Sequence, residues 1–263
     1  LATLAARGLS GLPEVPEGAD LAALIVCALD AAQPARPLRD GHVVSIAHKV
    51  VSKAEGATVD LREVEPGARA LELAAQAAAS GQPKDPRAVQ VVLDQSAEIV
   101  RAQRGVIVSL TQHGFVCANA GVDASNAARV GETETVIVLP RDPDASARRI
   151  RARLRELTGA NVAVLISDSF GRAWRHGQCD VAIGCAGLVP LDDWRGRTDG
   201  SGRELHATWL AVADAIAATA DLARAKDSRE PVVIVEGLER LLSDEDGPGA
   251  AALLRAPAED LFR

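Results

Sequence analysis

The chain has 263 residues, 48% of them hydrophobic, enough for a substantial core in one large domain or two small ones. A net charge of −7 and a pI near 5.3 argue against a general nucleic-acid binder, because a polyanionic partner rewards a basic surface. With three Trp, three Phe and no Tyr there is also little with which to stack bases, so any bound anion must be held locally.

In chain order, Leu21 to Ala32 carries apolar residues at helical spacing behind Asp20, a candidate N-cap, and Gly41 to Ala47 is a compact strand candidate. Pro66 to Gly81 and Asp85 to Arg104 read as helices, the second with Val89, Val92, Ile99 and Val100 as one buried face. Gly105 to Leu110 and Thr135 to Leu139 read as strands. A turn at Pro140 to Asp144 opens an Arg-rich helix, Ala145 to Leu157, stopped by Thr158-Gly159, whose arginines read as a solvated face. Leu205 to Ala225 is Ala-rich and helical in pattern, Pro231 to Val235 is a buried strand, and the apolar pair Leu261-Phe262 is expected to dock back onto the body. The alternation implies a mixed fold with no repeat and no readable domain boundary.

Cys27, Cys117, Cys179 and Cys185 lack Cys-x-x-Cys spacing and lie in or beside apolar runs, so they read as reduced, mostly buried thiols without a zinc site. A cytoplasmic protein is expected, with neither a signal peptide nor a membrane anchor, since the apolar stretch Leu21 to Leu29 is too short to span a bilayer.

Four segments carry chemistry. His48 to Gly56 follows a strand and offers Lys49 and Lys53 to phosphates, although surface lysines after a strand are usual and no Walker A spacing occurs. In His113 to Asn126, Asp123 can take a hard divalent cation and Asn126 a base or ribose edge; an Asx-capped turn explains the same residues. From Val164 to Gly202 an apolar run opens, where strand meets loop, onto Ser167, Asp168, Ser169, Arg172, Arg175 and Asp180, followed by further Asp, Arg and Gly residues. Acids and hydroxyls so dense, with both charge signs and permissive glycines, fit an anion held with a divalent ion better than a turn or cap. Arg224 to Pro231 is a charged loop, ordinary by itself.

Together these strings resemble the coenzyme F420-0:L-glutamate ligase family. The likeness is carried by His48 to Gly56, Cys117 to Asn126, Ser167 to Trp174 and Gly187 to Asp199, and runs from Gly11 to Phe262. It implies an α+β protein of unusual two-part architecture, one ligase unit over residues 1–263 without the C-terminal nitroreductase-like domain of some relatives, forming an intertwined homodimer. It also implies an enzyme that joins L-glutamate to coenzyme F420-0 through an amide bond, using GTP and Mg²⁺ or Mn²⁺, with K⁺ as a further candidate ion, and no nucleic acid or membrane partner.

Position by position, the resemblance implies nucleotide contacts at Leu12, Pro13, Glu14, Val15, His48, Lys53, Asn126, Ala225, Lys226 and Asp227, and metal ligands at Asp123, Asp168 and Ser169. A carboxylate does not react with an amine near neutral pH, so phosphorylation by GTP to an acyl phosphate is expected, with Lys53 assisting and Arg172 and Arg175 holding anionic substrates. The chain departs from the family at His48, Gly200-Ser201, Trp209, Ala215 and the Arg224-Ala225-Lys226 loop, which bears on the amine and acceptor more than on the reaction type. A paralogous amide ligase, a metal-dependent phosphohydrolase and a non-catalytic nucleotide-binding homologue are the rival readings.

Overall fold

A computed structural model describes residues 3–123, 134–225 and 227–260. The strands are β1 (Ala5–Gly8), β2 (Val43–Ala47), β3 (Thr58–Asp60), β4 (Ser96–Gln103), β5 (Val106–Thr111), β6 (Val116–Ala118), β7 (Thr135–Ile137), β8 (Ala163–Arg172), β9 (Arg175–Ala186), β10 (Leu191–Asp193), β11 (Trp209–Ala211) and β12 (Val232–Glu236). The helices are α1 (Leu21–Ala31), α2 (His48–Ala54), α3 (Ala68–Ala79), α4 (Pro86–Asp94), α5 (Pro143–Thr158) and α6 (Val212–Ala223). The expected mixed α+β character is therefore present.

A five-stranded sheet in the order β1-β12-β2-β8-β9 forms the centre, with only β2 and β8 parallel. Because side chains alternate along a strand, each central strand feeds two cores. Val44, Ile46, Val164 and Ile166 pack with Ile25 and Leu29 of α1 and Leu154 of α5, while Val43, Leu165, Val233 and Val235 pack with Ala213, Ile216 and Ala217 of α6. Fully burying one such aliphatic side chain contributes about 1.5–3 kcal/mol, so the sheet and its two helical layers dominate the stability. A smaller unit sets α3 and α4 on the β4-β5-β6 sheet around Leu73, Val89, Val92 and Ile107.

The helix starts follow capping chemistry. Asp20 accepts from the Ala23 N–H at 3.0 Å and Asp142 from the Ala145 N–H at 2.9 Å, with Pro143 opening α5 and the left-handed Gly159 closing it. Arg151 departs from the solvated face expected of α5. It is buried, and its guanidinium donates to the Val162, Ser243 and Asp244 carbonyls, to Asn161 and to Asp246, clamping the C-terminal segment onto the sheet.

Three sequence expectations are corrected. The helix read over Asp85 to Arg104 stops at Asp94, and Ser96 to Gln103 is β4, because Arg104 (φ 52°) and Gly105 (φ 74°) form a two-residue hairpin turn into β5. Within the Leu205 to Ala225 region, Trp209–Ala211 is β11, paired with β10, and only Val212–Ala223 is helical. The polar stretch after Val164 is not a loop, since β8 runs on through Asp168 to Arg172 and turns back as β9, giving an extended hairpin. All four cysteines are free, with Cys117 and Cys185 buried, Cys179 half-buried and Cys27 exposed. Leu261 and Phe262 lie outside the described residues, and no helix among those residues is long and apolar enough to cross a membrane.

Candidate active site

β2 and β8 run parallel, so both deliver chain to the same end of the sheet. There β2 passes into α2 at His48 and β8 continues through Ser167, Asp168 and Ser169, while antiparallel β12 begins beyond Pro231. These ends, with the segment before α1, enclose a cavity of about 750 Å³. Leu12, Pro13, Glu14 and Val15 form one wall, His48, Lys49 and Lys53 of α2 another, and Asp168, Ser169 and Ala225 a third.

Most of the nucleotide contacts implied by the resemblance thus converge from segments far apart in sequence. Asp227 is not in the cavity wall but lies two residues beyond Ala225, and Asn126 and Lys226 fall outside the described residues. Arg172 and Arg175 are not brought to the cavity by this chain. They sit exposed at the tip of the β8-β9 hairpin, where Arg172 donates to the His176 carbonyl at 2.6 Å beside the 82% exposed Trp174.

Asp168, Glu14 and Asp123 each face a base, although Asp123, unlike the other two, is not in the cavity wall. His48 is buried and its Nε2 lies 3.3 Å from Asp168 Oδ1, with Nδ1 3.4 Å from Ser52 Oγ. Lys53 pairs with Glu14 and Lys49 with Asp123. Asp123 is placed by backbone bonds to Ile137 on β7, directly after a tight turn in which Asn119, Ala120 and Gly121 all have positive φ. Backbone held this way costs energy and is retained where surrounding structure over-determines it. Burial and, secondarily, the charge of Asp168 push the Cys117 thiol up to about 12, so Cys117 is an uncharged neighbour and not a thiolate nucleophile.

Successive residues on a strand point to opposite faces, and Asp168 and Ser169 obey this. Asp168 turns to His48, whereas Ser169 turns to Asp180 on β9, its cross-strand partner, whose Oδ1 accepts the Ser169 hydroxyl at 2.6 Å. Asp180, Arg224, Arg229 and Glu230 also line the cavity and were assigned no individual role from sequence. The one signal for Asp180 was its place in the dense polar stretch, and for the other three their place in the charged loop.

Oxygen donors from Asp123, Asp168 and Ser169 suit a hard divalent cation such as Mg²⁺ or Mn²⁺. Among the described residues no three His, Cys, Asp or Glu side chains group as a metal site. Buried Arg224 Nε and Nη2, without hydrogen-bond partners among the described residues, suit an anion. Of the departures, His48, Arg224 and Ala225 line the cavity; Trp209, half exposed under the Arg195 guanidinium 4.3 Å from the ring centre, and the exposed Gly200, Ser201 and Ala215 do not.

A parallel strand pair thus ends in a cavity lined by acids, lysines and two arginines. Residues 11–237 match the model of the F420-0:gamma-glutamyl ligase family, and the chain belongs to that family of ligases. It is similar to the coenzyme F420:L-glutamate ligase of Methanothermobacter thermautotrophicus, with 43% identity over 257 residues covering 97% of each chain. The protein of the same name from Methanopyrus kandleri is 46% identical over 252 residues, 95% of this chain and 94% of its own. That of Halobacterium salinarum is 43% identical over 260 residues, 98% and 95% respectively.

Proposed function

We propose that this chain joins the amine of L-glutamate to the carboxylate of coenzyme F420-0, consuming GTP through an acyl phosphate. The observation that carries the reading is the convergence of Leu12 to Val15, His48, Lys53, Asp168, Ser169 and Ala225 on one cavity, in a chain whose relatives bear the ligase name.

Two anions must meet before the carboxylate can attack phosphorus, and their repulsion is what the site offsets. Lys53 and Arg224 bind the nucleotide phosphates, with Lys53 leaving Glu14 to do so. The coenzyme carboxylate then attacks the γ-phosphorus, GDP leaves, and the glutamate amine displaces phosphate from the acyl carbon, losing a proton as the amide forms. Asp123, Asp168 and Ser169 would hold Mg²⁺ or Mn²⁺, which supplies charge neutralisation on phosphate oxygens. Arg172 and Arg175 serve the anionic substrates if a second copy lays its hairpin tip against this cavity, so the intertwined homodimer is part of the proposal.

Incubation with F420-0, GTP, Mn²⁺ and glutamate, followed by mass spectrometry, tests the reading. One or more glutamyl units on the coenzyme are expected. Phosphate release without a glutamyl product supports a phosphohydrolase instead. The packing of Trp209 on Arg195, at a position where the family resemblance implies an acid, favours one second reading, a paralogue with another amine or acceptor, and the same experiment run with other amino acids decides it.

A further inference from the structure

Asp180 is 2% exposed, and a buried carboxylate is tolerated only when its oxygens are bonded. Here Oδ1 accepts the Ser169 hydroxyl at 2.6 Å, while Oδ2 accepts the Ser167 hydroxyl at 2.9 Å and Arg224 Nη1 at 3.3 Å. Arg224 stands just past the end of α6 with 12% of its side chain exposed. Asp180 uses Nη1 alone. The other edge of the guanidinium, Nε with Nη2, is buried and has no partner among the described residues. Such an edge is a two-pronged donor matched to a pair of phosphate or carboxylate oxygens, and leaving it unmet is costly.

We infer that Asp180 is a positioning residue that serves both sides of the phosphate site at once. By holding Nη1 it fixes Arg224 so that Nε and Nη2 receive two phosphoryl oxygens of the nucleotide. By accepting the Ser169 proton it turns the oxygen of Ser169, and not its hydrogen, toward the cation. The inference rests on the nucleotide reading above and adds the residue that sets where phosphate and cation meet.

An asparagine at position 180 can keep one side but not the other. Its single oxygen satisfies either Arg224 or Ser169, and its amide N–H₂ opposes whichever is left. The test measures binding of guanosine 5′-(β,γ-imido)triphosphate by calorimetry in the presence of Mn²⁺, and of Mn²⁺ alone by electron paramagnetic resonance. Wild type, Asp180→Asn, Arg224→Gln and the double variant are compared, with melting curves recorded for each.

Each single change is expected to weaken nucleotide binding about tenfold or more, as losing a charge-assisted bond does. The double variant is expected to bind nucleotide more weakly than Arg224→Gln only as far as its Mn²⁺ affinity falls, because Asp180 acts on the phosphate through Arg224 and on the cation through Ser169. Nucleotide losses that multiply with no loss of Mn²⁺ affinity, or an Asp180→Asn protein that melts lower yet binds nucleotide and Mn²⁺ as wild type does, overturn the inference. Wild-type affinity in Arg224→Gln overturns it even if Asp180→Asn does not fold. A wild type that binds no nucleotide overturns the functional reading as well, which separates the two failures.

Discussion

His48 Nε2 lies 3.3 Å from Asp168 Oδ1, tying the first residue of α2 to the polar end of β8 in the wall of the cavity. The contact exists because β2 and β8 are parallel neighbours whose chains leave the sheet at the same end, Ala47 beside Ser167. Asp168 also accepts the Ser169 N–H at 2.8 Å.

An asparagine can accept that same N–H, so Asp168→Asn is expected to fold with an unchanged melting midpoint. It lacks the charge needed beside a cation and two anions, and ligation should fall by about a hundredfold or more. Steady-state glutamyl transfer, with melting as the control, checks this; full activity in the variant removes Asp168 from the site.

Gly121 tests how Asp123 is delivered. Its φ is +70°, and a Cβ there would come within 2.7–2.9 Å of the Leu139 side chain. Gly121→Ala is therefore expected to lose about 1–3 kcal/mol of stability, from left-handed backbone and overpacking together. Urea unfolding measures the loss, and Mn²⁺ affinity should fall with it, because the turn carries Asp123.

Part of this was legible in sequence and part was not. The β-branched and apolar runs of β2, β8 and β12 announce themselves, as does the Asp20 cap, since both signals are local. Val89, Val92, Ile99 and Val100 fit a helical stripe equally well whether or not a turn intervenes, so β4 was hidden until the Arg104-Gly105 hairpin paired it with β5. The site divides the same way. Asp168 and Ser169 stand out in a polar run, but the meeting of Asp180 with Arg224 spans 44 residues and appears only once α6 packs on the sheet. Arg172 and Arg175 looked equally like site residues, and the length of the β8-β9 hairpin, which carries them away from the cavity, is not written in their spacing.

His42 makes stability depend on pH. Burial, more than any neighbouring charge, holds its imidazole below the ordinary 6.5, and its Nδ1 accepts the Arg39 N–H at 3.3 Å, a bond that requires that nitrogen unprotonated. The unfolded chain takes up this proton at higher pH than the folded one. The stabilisation is therefore complete above pH 6.5 and declines as pH falls from there toward the folded-state value. His42→Asn, which keeps an acceptor but cannot titrate, should show a smaller loss in urea midpoint than wild type over that acid range. Equal losses in the two proteins contradict the assignment.

The acyl phosphate is the step on which the account turns, and oxygen tracing reads it directly. With F420-0 labelled with ¹⁸O in its terminal carboxylate, one labelled oxygen passes to phosphorus when the carboxylate attacks and stays there when glutamate displaces it. The account predicts one ¹⁸O in each phosphate released per amide formed; glutamyl product accompanied by unlabelled phosphate would contradict it.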